Sequence, residues 1–186
     1  MQLLLENVGY SYNGVDVVLQ DVNFSFEEGK IYAIVGKSGA GKTTLLSLLS
    51  QLTKPTTGKI IYNKKDIKEV DQYEYRSKYV GVVFQNFNLL PNLSAVENVM
   101  LSMDIAGIKR TDRKEYAMEL LRKVGLEDDE ANRRILKLSG GQQQRVAIAR
   151  ALSYEPEIIL ADEPTGNLDE DTQNEIMNIF KQLAYE

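Results

Sequence analysis

The sequence predicts an α/β protein: a mostly parallel sheet, an antiparallel β portion at the N-terminal end and a helical insertion. Three stretches carry that prediction. Ile31 to Leu46 reads IYAIVGKSGAGKTTLL, an apolar run, a glycine-rich loop and a helical pattern in succession. Glu157 to Glu163 (EIILADE) is another apolar run, and it ends in two adjacent carboxylates. From about Pro91 to Leu138 the pattern is helical alone and interrupts the strand–helix alternation.

The first stretch holds the most specific signal. Gly36, Gly41, Lys42 and Thr43 satisfy the G-x-x-x-x-G-K-[ST] phosphate-loop spacing, and the strand and helix that this motif requires flank it. Ile31 to Val35 suits a strand buried on both faces, and Lys42 to Leu52 sets Leu45, Leu46, Leu48, Leu49 and Leu52 at helical spacing. Lacking Cβ atoms, the glycines let successive N–H groups curl around a phosphate, whose charge the following helix N-terminus also favours. Lys42 then reaches the outer phosphates, and Thr43 offers its hydroxyl to Mg2+.

The remaining elements follow in chain order. Leu3 to Val8 and Val17 to Phe26 are expected strands, and Asn13-Gly14 marks the turn between them. In the second strand Val22, Phe24 and Phe26 alternate with Asn23 and Ser25, as on a half-solvated antiparallel sheet. Tyr10 and Tyr12 share a face before the turn, where either could stack on a nucleotide base or serve as an ordinary sheet aromatic. Lys59 to Tyr62 is a further short strand. Tyr79 to Phe84 is a second buried-strand candidate, and Gln85 directly after it stands where ligands collect in open α/β sheets; a solvated loop glutamine is the alternative.

In the helical stretch, Ser94 and Glu97 have capping-box spacing for a helix through about Ile105, closed by Gly107. Thr111 is the expected cap of a second helix, with Tyr116, Leu120, Leu121 and Val124 on one face and Gly125 ending it. Glu127 to Glu130 reads as a solvated turn. Leu138 to Gln142 opens a helix that buries Val146, Ile148, Ala149 and Leu152. Ser139 as a plain N-cap suffices there, with a second anion site on the bare N–H groups as the alternative. Asp162 and Glu163, at a strand end downstream of a phosphate loop, suit support of Mg2+ and orientation of an attacking water. Asp171 or Thr172 is expected to cap a last helix with Ile176, Ile179, Phe180 and Leu183 inward.

Composition narrows the classes. The 186 residues suffice for one substantial core. Lys and Arg number 22 against 27 Asp and Glu, a net charge of −5 that gives no electrostatic footprint for nucleic acid. The lack of Cys excludes disulfides and thiolate metal sites, and the lack of His excludes imidazole acid–base chemistry and imidazole ligands. MQLLLENVGY lacks the regions of a signal peptide, and no window approaches the ~18 apolar residues of a membrane span, so any membrane role is expected to run through a partner.

Together these motifs resemble the nucleotide-binding subunits of ATP-binding-cassette (ABC) transporters over essentially the whole chain. Gly36 to Thr43 (GKSGAGKT) is similar to their Walker A, Gln85 to their Q-loop, Leu138 to Gln142 (LSGGQ) to their signature, Ile158 to Glu163 (IILADE) to their Walker B and Leu168-Asp169 to their D-loop. The resemblance implies one ATPase domain over residues 1–186, with a P-loop NTPase core whose sheet is RecA-like and mostly parallel. Residues 1–90 and 139–186 would form that core with its antiparallel β-subdomain, and 91–138 an inserted α-helical subdomain.

Its ligands would be ATP and Mg2+. The resemblance implies nucleotide contacts from Tyr12, which it favours over Tyr10, and from Gly36, Lys37, Ser38, Gly39, Ala40, Gly41, Lys42, Thr43 and Thr44. Across a head-to-tail homodimer, Ser139, Gly140, Gly141, Gln142 and Asp169 would contribute as well. Metal contacts would fall to Thr43, Gln85 and Asp162, and catalysis to Glu163, Gln85 and Lys42.

Phe84 to Val99 (FQNFNLLPNLSAVENV) and Ala161 to Asp169 (ADEPTGNLD) look like the lipoprotein-releasing, macrolide-export and antimicrobial-peptide-export group, to which a cell-division ATPase also belongs. The resemblance therefore implies a subunit that is cytoplasmic and peripheral on the inner face of the cell membrane, powering export or lipoprotein or peptide extrusion through a permease. Force transmission to division or cell-wall machinery is the alternative. A soluble ABC protein acting on DNA or ribosomes would need a basic surface or a second cassette, and a net charge of −5 with one Walker A speaks against it. One departure stands out: the family continues after its last matching helix with a strand and a switch histidine, whereas this chain has no His and ends at Ala184-Tyr-Glu186. The expectation is a chain cut short before that strand, lacking the middle of its sheet and hydrolysing ATP poorly on its own.

Overall fold

β1 (Gln2–Ser11) and β2 (Val17–Glu27) form a long antiparallel hairpin, running from Leu3 opposite Phe26 to Ser11 opposite Val17. The turn between them is set by Asn13, whose side-chain oxygen accepts from the Val15 and Asp16 N–H groups, and by Gly14. The computed structural model describes residues 2–185. It divides into two compact units: one runs to Arg76 and takes in the chain from Ala184, and the other is Ser77–Leu183.

In the first unit α1 (Lys42–Leu49) buries Thr44, Leu48 and Leu49. β3 (Thr57–Tyr62) pairs antiparallel with the second edge of β1, and β4 (Lys65–Asp66) turns back on β3, giving the order β2-β1-β3-β4. Being central, β1 buries Leu3, Leu5 and Val8, whereas the edge strand β2 leaves Phe24 exposed. A short α2 (Gln72–Glu74) leads to Tyr75, which is fully buried and donates its hydroxyl to the Leu49 carbonyl at 3.1 Å.

In the second unit β5 (Val80–Val83) and β6 (Ile158–Ala161) pair in parallel, with Val80 opposite Ile158 and Val83 opposite Ala161. Between them run α3 (Ala95–Ile105), α4 (Arg113–Lys123), α5 (Asp128–Ala131) and α6 (Gly140–Leu152), and α7 (Glu170–Tyr185) follows β6. Their apolar faces share one core that includes Val83, Met103, Leu121, Ile148 and Ile176. The Ser94–Glu97 capping box is present, and Gly107 and Gly125 end α3 and α4 in left-handed conformations, as the pattern predicts.

Other expectations are corrected. Ile31 to Val35 joins no strand ladder among the described residues, and Ile31 is 49% and Val35 87% exposed. An apolar run confers the capacity to be a strand, but the ladder needs a partner edge, and β5 takes β6 instead. α1 ends at Leu49 because Gln51 turns left-handed, so Leu52 is exposed rather than on the buried face. α4 begins after Asp112, not Thr111, and the Asp112 carboxylate faces Arg110 at 3.1 Å instead of capping the helix. Glu127 to Glu130 is not a plain turn: Glu130 accepts from the Glu127 N–H at 3.0 Å and opens α5. The cap of α7 is neither Asp171 nor Thr172 but Asp169, whose carboxylate accepts from both the N–H and the hydroxyl of Thr172.

Candidate nucleotide site

The phosphate loop is shaped by its own atoms. Ala40 N–H donates to the Lys37 carbonyl at 3.1 Å, and Leu45 N–H to the Gly41 carbonyl at 2.8 Å, starting α1. Gly41 is left-handed at φ 87°, and a Cβ there would stand 3.0 Å from the Val18 and Leu19 side chains, so both strain and space require glycine. Lys42 arches back, its Nζ donating to the carbonyls of Gly36 at 2.9 Å and Lys37 at 3.2 Å. Gly36, Lys37, Ser38, Gly39 and Ala40 are exposed, as is Thr43 in the first helical turn. No acidic residue occupies that turn, which leaves the positive helix end without a counter-charge in its own first turn. Exposed N–H groups, an ammonium and a helix N-terminus make an anion site.

Tyr12 and Tyr10 meet edge to face, with ring centroids 5.0 Å apart. Tyr10 is half-buried, and its hydroxyl accepts from Thr53 at 3.4 Å. Tyr12 is 69% exposed, and its hydroxyl shares a 3.0 Å hydrogen bond with that of the buried Thr44. Of the two rings, Tyr12 is the one open to a planar ligand.

The other predicted residues lie in the second unit. Parallel pairing sets the ends of β5 and β6 side by side, and the Asp162 N–H extends the ladder by donating to the Val83 carbonyl at 2.9 Å. Gln85 therefore follows one strand while Asp162 and Glu163 follow its neighbour. Asp162 is half-buried and Glu163 exposed. Glu163 is held left-handed at φ 45°, a conformation that costs a non-glycine residue about 1–3 kcal/mol and persists only where the surroundings enforce it. Here Gly166 N–H closes a turn onto the Glu163 carbonyl at 3.0 Å, and the Gln85 amide nitrogen lies 3.1 Å from where a Cβ on Gly166 would stand.

The loop after Gln85 is fastened at two points that sequence patterning missed. Phe87 and Asn88 are both left-handed, at φ 59° and 51°. Arg150, in the last turn of α6, donates to the Phe87 carbonyl at 2.9 Å and to the Asn88 carbonyl. Asn98, buried in α3, accepts from Leu90 N–H at 2.8 Å and donates to the Leu90 carbonyl at 3.2 Å. The available signal was a charge inside the apolar run Val146 to Leu152, where an arginine needs polar partners.

At the start of α6, the Ser139 hydroxyl accepts from Gln142 N–H at 3.2 Å, and the Gln142 side chain accepts from Ser139 N–H at 2.8 Å while donating to Glu130. This capping box engages the Ser139 and Gln142 N–H groups and leaves those of Gly140 and Gly141 without an acceptor among the described residues. Gly141 is required by close approach: a Cβ there would fall 2.7 Å from the Thr172 methyl. The signature segment thus packs on the start of α7, where the Thr172 hydrogen bonds hold the Asp169 carboxyl below its usual pKa. No group of three or more acidic residues that could hold a metal occurs among the described residues. The Thr43 hydroxyl, Gln85 amide and Asp162 carboxylate are hard oxygen donors of the kind that suits Mg2+, which keeps several waters and takes few protein ligands.

A family model described as ABC transporter matches residues 19–166. The ABC transporter ATP-binding protein YclH of Bacillus subtilis (strain 168) is 47% identical over 184 residues, covering 98% of this chain and 81% of YclH. The lipoprotein-releasing system ATP-binding protein LolD of Syntrophus aciditrophicus (strain SB) is 46% identical over 169 residues, covering 89% of this chain and 75% of LolD. Among solved structures, the dimeric post-hydrolysis state of the ATP-binding cassette MJ0796 bound to ADP and Pi superimposes with a TM-score of 0.88 at 40% identity, over 98% of this chain and 82% of that one. Likeness of this degree in both sequence and fold, running through the phosphate loop and the strand-end carboxylates alike, means that the chain belongs to the ABC transporter family as one of its ATP-hydrolysing cassettes.

Proposed function

We infer that this chain couples ATP hydrolysis to the work of a membrane permease in an export or lipoprotein- or peptide-extruding system. The observation that carries this is the pair of unengaged N–H groups on Gly140 and Gly141, a second anion site on a chain that already has a phosphate loop. A chain with both can hold one ATP and close over another. In a head-to-tail homodimer, Gly36 to Thr44 of one copy take the triphosphate, Tyr12 stacks on the adenine, and Gly140 and Gly141 of the second copy meet the γ-phosphate. Ser139, Gln142 and Asp169 hold the two helix ends that make this approach.

Lys42 neutralises the outer phosphates, and Glu163 orients the attacking water. The water oxygen bonds to the γ-phosphorus, the bond to the β–γ bridging oxygen breaks, and Glu163 takes the water's proton. Thr43, Gln85 and Asp162 would hold Mg2+, which supplies charge neutralisation when bound. Lys42, Gln85 and Glu163 are thus the catalytic set, and residues 91–138 the helical subdomain set into a core of 1–90 and 139–186. The likeness to LolD supports an extruding system, and the permease would hold the chain at the inner membrane face. No helix among the described residues is long and apolar enough to cross a membrane.

Glu163→Gln tests the scheme, since it keeps the shape of the side chain and removes the proton acceptor. ATP should stay bound while phosphate release falls at least about 100-fold, and light scattering with saturating MgATP should give twice the 21.0 kDa of one chain. Monomers alone under those conditions would overturn the head-to-tail arrangement.

A further inference from the structure

We propose that Arg150 is a positioning residue for Gln85: by bonding the carbonyls of Phe87 and Asn88 it holds the Gln85 loop in its working shape and ties that loop to the signature helix. The proposal rests on Gln85 acting in hydrolysis, as above. Two consecutive non-glycine residues in left-handed conformations are rare, because each brings its Cβ against a carbonyl oxygen. The other such pair, Asn63 and Lys64, is closed by the β3–β4 ladder around it. No ladder flanks Phe87 and Asn88 on both sides among the described residues, and what grips them from outside the loop is Arg150. The loop's own bonds are short-range, Phe87 N–H to the Phe84 carbonyl at 3.1 Å and Asn88 N–H to the Asn86 carbonyl at 2.6 Å. They turn the Phe87 and Asn88 carbonyls outward together, and the guanidinium fork reaches both, through Nη2 and Nη1.

The arrangement suits arginine alone. A guanidinium presents several N–H donors in a fixed plane, which matches two adjacent acceptors, whereas a lysine ammonium is a single mobile point. No carboxylate pairs with Arg150 among the described residues, so its charge is satisfied by these dipoles. Arg150 is half-buried, and that burial pushes its pKa down. Half-burying a charge has some cost, which the two carbonyl bonds offset.

α6 joins this contact to the signature. Its 13 residues form a rod about 20 Å long, with Ser139 and the Gly140 and Gly141 N–H groups at one end and Arg150 in the last turn at the other. A tilt of that helix when its N-terminus meets an anion would be passed to Phe87 and Asn88, two and three residues from Gln85. Asn98 fastens Leu90 separately, so the loop pivots between two anchors rather than hanging free.

The test uses the 186-residue chain with Arg150→Gln and Arg150→Lys, each alone and combined with Gln85→Ala. Single-turnover hydrolysis reads the chemical step, and a fluorescent ATP analogue reads affinity. Arg150→Gln should slow turnover about 10- to 100-fold, the usual cost of misplacing a reacting group by about an ångström, with affinity changed less than about 3-fold because its contacts are with the loop rather than with nucleotide. Arg150→Lys should fall between, and hydrogen exchange at the Phe87 and Asn88 amides should quicken in the same order. In the Gln85→Ala background neither substitution should slow turnover further.

Multiplying losses in the double variants, or unchanged turnover in Arg150→Gln, would overturn the proposal. Gln85→Ala with parental turnover would overturn the role of Gln85 and the proposal with it, whereas a slow Gln85→Ala beside an unaffected Arg150→Gln would sink the proposal alone. If Arg150→Gln does not fold, Arg150→Lys carries the same comparison.

Discussion

Ile31–Val35 leads into the phosphate loop and Val80–Val83 leads into Gln85, and both are short apolar runs in which valine and isoleucine predominate. The second lies in a parallel ladder with Val80 and Val83 fully buried; the first has no ladder among the described residues and leaves Val35 87% exposed. Yet the loops that follow are both well formed, for different reasons. The phosphate loop is closed by bonds among its own neighbours: Ala40 to Lys37, Lys42 to Gly36 and Lys37, and the left-handed Gly41. The Gln85 and Glu163 loops depend on remote partners, through Val83 to Asp162, Arg150 to Phe87 and Asn88, and Asn98 to Leu90. One half of the nucleotide machinery is local chemistry, and the other is tertiary structure.

Hydrogen exchange sharpens this contrast most. Amides of residues 31–35 should exchange almost as in an open chain, whereas those of Val80–Val83 should open only with their unit. A difference of about 4 kcal/mol in opening free energy, or about a thousandfold in rate, is well within the usual span. Equal protection in the two runs would mean that Ile31–Val35 has a partner strand after all, and the contrast would fail.

Lys42→Ala addresses the local half. It removes the cation that faces the outer phosphates and the two bonds that arch the side chain over the loop, so ATP affinity should fall at least about 100-fold by titration, charge-assisted contacts being the strong ones. Because the fasteners of the Gln85 loop are untouched, exchange at Phe87 and Asn88 should stay at the parental rate. Parental affinity in this variant would remove the phosphate-loop assignment.

The same division governs what could be seen in the sequence. The Asn13-Gly14 turn, the Ser94–Glu97 box, the Ser139 N-cap and the Gly36 to Thr43 loop are complete within a few residues, so spacing alone finds them, though reading Ser139 as a plain N-cap misses the Gln142 half of its box. Helix starts with several candidate caps are harder to read: α4 begins after Asp112 with no side-chain cap at all, and at α7 Asp169 displaces Asp171 and Thr172. Pairing is harder still. Nothing within Ile31–Val35 tells it apart from Val80–Val83, because the difference lies in Ile158–Ala161, more than 70 residues away from Val80. The partners of Arg150 are illegible for the same reason, Asn88 lying 62 residues away, although the charge itself stands out in its apolar run.

Tyr12 offers the finest test, since its ring and its hydroxyl do separate things. The ring is exposed and available to a base, while the hydroxyl is tied to the buried Thr44 of α1. Tyr12→Ala should weaken ATP binding by about 1–3 kcal/mol, the usual worth of a base on an aromatic platform. That is less than the Lys42 effect because the phosphates carry most of the affinity. A stacking face does not read base edges, so GTP should lose as much as ATP. Tyr12→Phe keeps the ring, and affinity should stay within about 3-fold of the parent. It deletes one hydrogen bond of roughly 1 kcal/mol net, which in a chain of this size lowers the melting temperature by about 2–4 °C. Stacking and tethering are then separated: alanine loses both binding and stability, phenylalanine stability alone. If Tyr12→Ala bound ATP like the parent while Tyr10→Ala did not, the base would lie on Tyr10, and the exposure of Tyr12 would have to be explained in another way.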